Sequence, residues 1–226
     1  MMMHRYPFIA IEGLDGTGKT TLRKGLFRLW QGLFDITPLC LLTTNFLSAE
    51  HAGQIVAGKY RPSAENAAAY LSAIAADKNA TLRQLVEPQR RARPVIADRW
   101  VLSELAFFAV KHGARAQDTY KALADHLSEG PDVTLVLELP AVDSMQRAKG
   151  RSGDAVRADW DVHHVQSAVH EVYADVTASP QSFPLLGTVV RLDASATPAQ
   201  VLGSAWSALE HLGLIPGLAT DNELES

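Results

Sequence analysis

Phe8-Ile9-Ala10-Ile11-Glu12-Gly13-Leu14-Asp15-Gly16-Thr17-Gly18-Lys19-Thr20 is the stretch on which the fold turns. Phe8 to Glu12 is a short apolar run of the kind that fills a buried strand. Gly13 to Thr20 fits G-x-x-x-x-G-K-[ST] in full, and a helical pattern runs from about Thr20 to Leu33. Strand, glycine-rich turn and helix in this order read as a cradle for a polyphosphate. Glycines let successive backbone N–H groups converge on phosphate oxygens without Cβ collisions, and the helix start adds its dipole. Lys19 neutralises the terminal phosphates, and the Thr20 hydroxyl can ligate Mg²⁺.

Outward from this stretch, short apolar runs alternate with longer amphipathic ones, the pattern of a parallel sheet covered by helices. Pro38 to Thr44, Pro94 to Asp98, Val133 to Leu139 and Thr188 to Leu192 are the further strands. Helices are expected from Ser63 to Glu87, where Pro88 stops the run, and over Ser103–Lys111, Gln117–Leu127 and Thr197–Leu212. Glu65 falls in the first turn of the first of these. Thr197-Pro198-Ala199-Gln200 predicts a capping box, and Gly213 can end the last helix. The polar residues from 217 onward read as a frayed tail.

A chain of 226 residues suits one α/β domain. A net charge of −4 gives no global attraction to nucleic acid or an anionic membrane, so phosphate binding must be built locally. The N-terminal residues lack the long apolar stretch of a signal peptide, and no segment nears the length of a membrane span. The single cysteine, Cys40, sits in an apolar run and reads as a buried, reduced thiol. Cytoplasm is the expected compartment, with no nucleic-acid and no membrane partner.

Asp98 and Arg99 follow the third strand at its C-terminal end, where open parallel sheets place their ligands. A carboxylate there can hold Mg²⁺, and a guanidinium can clamp phosphoryl oxygens. The run Arg147 to Asp154, with Arg157 beyond, is basic, contains glycine and lies between two helices. A hinged basic segment can close on a γ-phosphate and exclude water. By contrast, His163, His164 and His170 read as a solvated helix face, and Trp30, Trp160 and Trp206 as packing residues. Arg90, Arg91 and Arg93 read as a solvated basic face. No Asn-Lys-x-Asp guanine-reading motif occurs; Asp77-Lys78-Asn79 has the wrong order.

Phe8 to Thr21 resembles the N-terminus of thymidylate kinases, and further matches follow in that family's order. Ala75-Ala76-Asp77-Lys78 resembles its Ala-x-Asp-Arg, and Asp98-Arg99-Trp100-x-x-Ser103 its Asp-Arg-Tyr-x-x-Ser. Pro131 to Leu137 is similar to its Pro-Asp strand, and Val190 to Ser195 to its last strand and adenine-holding loop. The resemblance implies a P-loop, nucleoside-monophosphate-kinase fold: a five-stranded parallel sheet, flanking helices and a basic lid over about 147–160. It implies ATP as donor, Mg²⁺ and a homodimer.

On the donor side the resemblance implies contacts from Gly13, Asp15, Gly16, Thr17, Gly18, Lys19, Thr20, Thr21, Arg147 and Ala194, with Thr20 and Asp98 on the metal. It puts Lys19, Asp15, Asp98, Arg99, Arg147 and Arg151 at the chemistry. The acceptor would meet Asp15, Asn45, Ile74, Lys78, Arg99, Trp100, Ser103, Glu104, Phe107 and Tyr173.

The acceptor side also departs from the family. Thr43-Thr44-Asn45-Phe46-Leu47 replaces Arg-Glu-Pro-Gly-Gly, and Phe-x-x-x-Arg becomes Ile74-x-x-x-Lys78, without an aromatic face or a planar fork. Glu104 puts a carboxylate where a monophosphate should approach, which is unhelpful unless Lys78 or Arg99 offsets it. Two acceptors therefore stand at this stage: dTMP, or another nucleotide, nucleoside or hydroxylated small molecule. A nucleotide-binding module without transfer is a third reading, opposed by the presence of Lys19, Asp98 and Arg99.

Overall fold

Six consecutive buried residues make β1, Phe8–Gly13, the middle of the sheet, because only a strand covered on both faces is buried throughout. The computed structural model describes residues 5–42, 66–152 and 163–216, with the backbone alone at 150–152. Around β1 stand β2 (Leu39–Leu41), β3 (Val95–Asp98), β4 (Val133–Glu138) and β5 (Thr188–Asp193), in the order β2-β3-β1-β4-β5. Every pairing is parallel. The helices are α1 (Lys19–Phe34), α2 (Ala67–Thr81), α3 (Val101–His112), α4 (Ala116–Ala124), α5 (Ala141–Ser152), α6 (His163–Ala178) and α7 (Pro198–His211).

Side chains alternate across β1 and sort the helices into two layers. Ile9 and Ile11 pack with Leu22 and Leu26 of α1 and with Val201, Ala205 and Leu209 of α7. Phe8 and Ala10 face the other way, towards Ala75 of α2, Leu102 and Leu105 of α3, Leu123 of α4, and Val169 and Val176 of α6. Helices α1 and α3 thus leave neighbouring strands for opposite faces. A crevice opens between the C-terminal ends of β1 and β3, the place where such sheets bind ligands. The register sets Ile11 beside Asp98, and the Arg99 N–H donates to the Ile11 carbonyl at 2.9 Å.

Several local expectations change. The second strand ends at Leu41, and residues from 43 to 65, Asn45 and the expected start of α2 among them, lie outside the described residues. Pro88 does not stop the α2 run. A π turn, Leu82–Val86, leads into a last turn, Glu87–Gln89, and a proline in a first turn removes no needed donor. Arg147 to Ser152 are the end of α5 rather than loop; the side chain of Arg151, residues 153–160 with Trp160, and the tail from 217 lie outside the described residues. Cys40 is half-buried. The predicted capping box on α7 is present, with Gln200 Oε1 accepting from the Thr197 N–H at 3.0 Å.

Arg90 is not part of a solvated face. It is buried, donating through Nη2 to Asp132 Oδ1 and Oδ2 at 2.8 and 2.6 Å and through Nε to the Tyr6 carbonyl at 2.8 Å. Asp132 Oδ2 also accepts the Phe8 N–H at 2.7 Å, so the pair clasps the N-terminal end of the sheet, opposite the crevice. His163, His164 and His170 are exposed, and Trp30 is wholly buried against Trp206, as expected. No helix among the described residues is long and apolar enough to cross a membrane.

Candidate active site

The loop from Gly13 to Lys19 turns on three glycines with positive φ: 143° at Gly13, 95° at Gly16 and 100° at Gly18. A Cβ on Gly16 would stand 2.0 Å from the Ser144 carbonyl oxygen, so the loop lies directly against α5. The Ser144 hydroxyl donates to the Asp15 carbonyl and fastens that contact. Thr17 is buried and gives its hydroxyl to the Leu14 carbonyl at 2.9 Å, which holds the loop closed. Gly18 caps α1 with no side chain, and no acidic residue stands in the first turn. The first amides of α1 therefore keep their donors for an anion.

Lys19 lies back along the loop, donating to the carbonyls of Gly13 and Leu14 at 3.0 and 2.7 Å, with Asp15 Oδ1 at 3.6 Å. Burial, and then the Arg99 charge, lower its pKa from 10.5 to about 8. A polyphosphate would take over these hydrogen bonds and raise the lysine's pKa again.

Arg99 sits at φ 74°, a left-handed conformation that costs a residue with a Cβ about 1–2 kcal/mol. Its Nη2 pairs with Asp15 Oδ1, while Nη1 donates to the Gly13 carbonyl at 2.9 Å and faces Ser103 Oγ at 3.2 Å and Tyr173 Oη at 3.3 Å. Asp15, Lys19 and Arg99, expected at the chemistry, are thus brought together, with Ser103 and Tyr173 of the expected acceptor set beside Arg99. Asp98 lies at the crevice with Arg23 Nε 3.8 Å from its Oδ2, and Thr20 is exposed on the first turn of α1. No group of three or more His, Cys, Asp or Glu side chains arranged to hold a metal exists among the described residues. That donor set fits Mg²⁺ beside a nucleotide, which draws most of its ligands from phosphate and water. Arg147 donates to the Ala194 carbonyl at 2.7 Å, joining α5 to the loop after β5.

On the acceptor side, Lys78 Nζ pairs with Glu104 Oε1 at 3.0 Å, both side chains largely buried, and lies 4.5 Å from the centroid of the Trp100 ring. The offsetting cation that Glu104 requires is Lys78. Burial, and then the Glu104 charge, push the Tyr70 hydroxyl up to about 12. Ile74 is buried, and Phe107 packs edge-on against Tyr70 with ring centroids 5.6 Å apart.

Three residues in or beside this site escape the sequence reading: Glu12, Ser144 and Arg23. For Glu12 there was a signal, since a carboxylate inside a run of buried apolar residues must find donors. Ser144 and Arg23 gave none, because their contacts are made between distant segments.

A glycine loop with its lysine, an uncapped helix start and a guanidinium pinned to the loop, at the C-terminal edge of a β2-β3-β1-β4-β5 sheet, define a P-loop phosphotransferase of the nucleoside-monophosphate-kinase class. Residues 11–188 match the family profile described as thymidylate kinase. A probable thymidylate kinase of Halorubrum lacusprofundi is 28% identical over 90% of this chain and 98% of its own. The thymidylate kinase of Mesoplasma florum is 29% identical over 86% and 90%, and that of Halothermothrix orenii 27% over 74% and 84%. The chain belongs to the thymidylate kinase family and is a kinase.

Proposed function

We propose that the protein transfers the γ-phosphoryl group of ATP to dTMP, forming dTDP and ADP. A phosphate oxygen of dTMP forms the new bond to the γ-phosphorus as the bond to the β-bridging oxygen breaks. The observation that carries the reading is Arg99, held between Asp15 and the Gly13 carbonyl beside Lys19, in a chain of this family. From there its guanidinium reaches phosphoryl oxygens of donor and acceptor together, and catalysis of this kind is positioning plus charge.

The loop amides and Lys19 would grip the β- and γ-phosphates, with Thr21 beside them. Thr20 and Asp98 would hold Mg²⁺, which neutralises the charge between those phosphates. Arg147 and Ala194 would border the base of ATP, and Arg151 with the lid would cover the γ-phosphate. For the acceptor, Tyr173, Ser103 and Trp100 stand with Arg99, and Asp15 on the loop side, while Asn45 is proposed as an acceptor contact from the sequence alone. Ile74 and Phe107 are the apolar walls, and Lys78 with Glu104 the polar edge for thymine. The neutralised Lys78–Glu104 pair supports a monophosphate acceptor, because it removes the unopposed carboxylate. One domain, a homodimer and the cytoplasm belong to the same proposal.

Coupled ADP release with a panel of nucleoside monophosphates tests it. The expected result is a kcat/KM for dTMP about tenfold above that for dUMP, the value of one methyl in an apolar pocket. ATP binding with turnover of no monophosphate would overturn the assignment.

A further inference from the structure

Arg99 owes its place to a residue that does not face the phosphates. Glu12, on β1 immediately before the loop, is fully buried. Its Oε1 accepts the N–H groups of Trp100 at 2.7 Å and Ser103 at 3.2 Å. Its Oε2 accepts the hydroxyl of Ser103 and the Tyr173 Oη–H at 2.9 Å. Burial, and then the Glu12 charge, raise Tyr173 far above the ordinary phenol range, so its hydroxyl stays a donor.

Two of these donors are amides at the start of α3, the Trp100 N–H at its N-cap and the Ser103 N–H in its first turn. Its own N-cap residue, Trp100, makes no side-chain cap, and Ser103 is the third helical residue, whose N–H a cap side chain ordinarily takes. We propose that Glu12 is a positioning residue for phosphoryl transfer: a carboxylate that caps α3 from the neighbouring strand and locks the left-handed turn carrying Arg99. The proposal rests on the phosphotransfer reading of the site.

The chemistry demands a carboxylate and not an amide. Every neighbour of the two oxygens donates, and an ionised carboxyl is acceptor-only, whereas glutamine would set an NH₂ against donors. Negative charge at a helix N-terminus is also favoured by the helix dipole. Tyr173 extends the lock to α6, the helix that follows the basic segment, so β1, α3 and α6 meet on one carboxylate.

The test is Glu12→Gln, alone and on an Arg99→Ala background. Displacing a catalytic cation by about 1 Å costs up to about 100-fold, so the single variant should lose between ~10- and ~100-fold in kcat with dTMP while ATP affinity stays within about twofold. On Arg99→Ala the same change should cost less than about threefold, because both act through one group. An equal loss on both backgrounds would make Glu12 merely structural and overturn the proposal. Tyr173→Phe, which keeps the carboxylate, should show the same non-additivity and serves if Glu12→Gln does not fold. The Arg99 Nε–H resonance in the nucleotide-free protein reads the lock without any acceptor. It should stand apart in wild type and collapse towards the free-arginine position in Glu12→Gln. An unmoved resonance overturns the proposal even if dTMP proves the wrong acceptor.

Discussion

Lys19 makes the strength of nucleotide binding depend on pH in a calculable way. In the free protein, burial and the neighbouring Arg99 hold its pKa at about 8, against an ordinary 10.5. A bound triphosphate supplies the counter-charge and returns the pKa to at least the ordinary value. The folded-state pKa is the depressed one, so below it the lysine is already charged and binding proceeds without proton exchange. As pH rises from about 8 towards 10.5 the free lysine is neutral and each binding event must recapture a proton. Affinity should therefore fall about tenfold between pH 7 and pH 9 and by about 300-fold in all, roughly 3 kcal/mol. Titration calorimetry with ATP and magnesium, in two buffers of different ionisation heat, measures both quantities. Near pH 8.5 the expected uptake is about three quarters of a proton. Lys19→Met should bind weakly and without uptake at any pH. Wild-type binding that is flat from pH 7.5 to 9.5, with no proton uptake, would refute the account.

The Lys78–Glu104 pair should be costly to halve: Lys78→Met leaves a buried unpaired carboxylate and should lower stability by about 3–5 kcal/mol, seen as a drop of roughly 10 °C in Tm. Lys78→Met with Glu104→Leu should recover most of that loss, and equal melting of single and double variants would contradict the pairing. At the far end of the sheet, Arg90→Met should cost about 3 kcal/mol in denaturant unfolding while leaving kcat unchanged, because Asp132 loses its partner there and nothing at the crevice moves.

What could be read from the chain, and what could not, follows the range of the interactions. The loop, its lysine and the Asp98-Arg99 pair were legible because their chemistry is written in adjacent residues, and β1 because burial on both faces leaves the apolar run Phe8 to Ile11. Arg90 was misread because three arginines within four positions look alike, and only folding brings Asp132 to one of them. The helix around Pro88 was misread because a proline marks a break in a regular helix, whereas a π turn restarts the count of residues just before it. For Glu104 the sequence left two offsetting cations open, Lys78 and Arg99, and only folding brings the first of them, on another helix 26 positions earlier, to the carboxylate.

The contact between Gly16 and α5 carries a consequence for the evolution and engineering of the loop. The motif leaves position 16 open to any amino acid, yet the Ser144 carbonyl fills the space a side chain would need. The phosphate cradle is consequently no transplantable cassette. Moved to a host whose helix after β4 sits elsewhere, it would lose the wall that α5 supplies. A library varying residue 16 should return glycine, because its φ of 95° strains any residue with a Cβ and the obstructing carbonyl belongs to the backbone of α5.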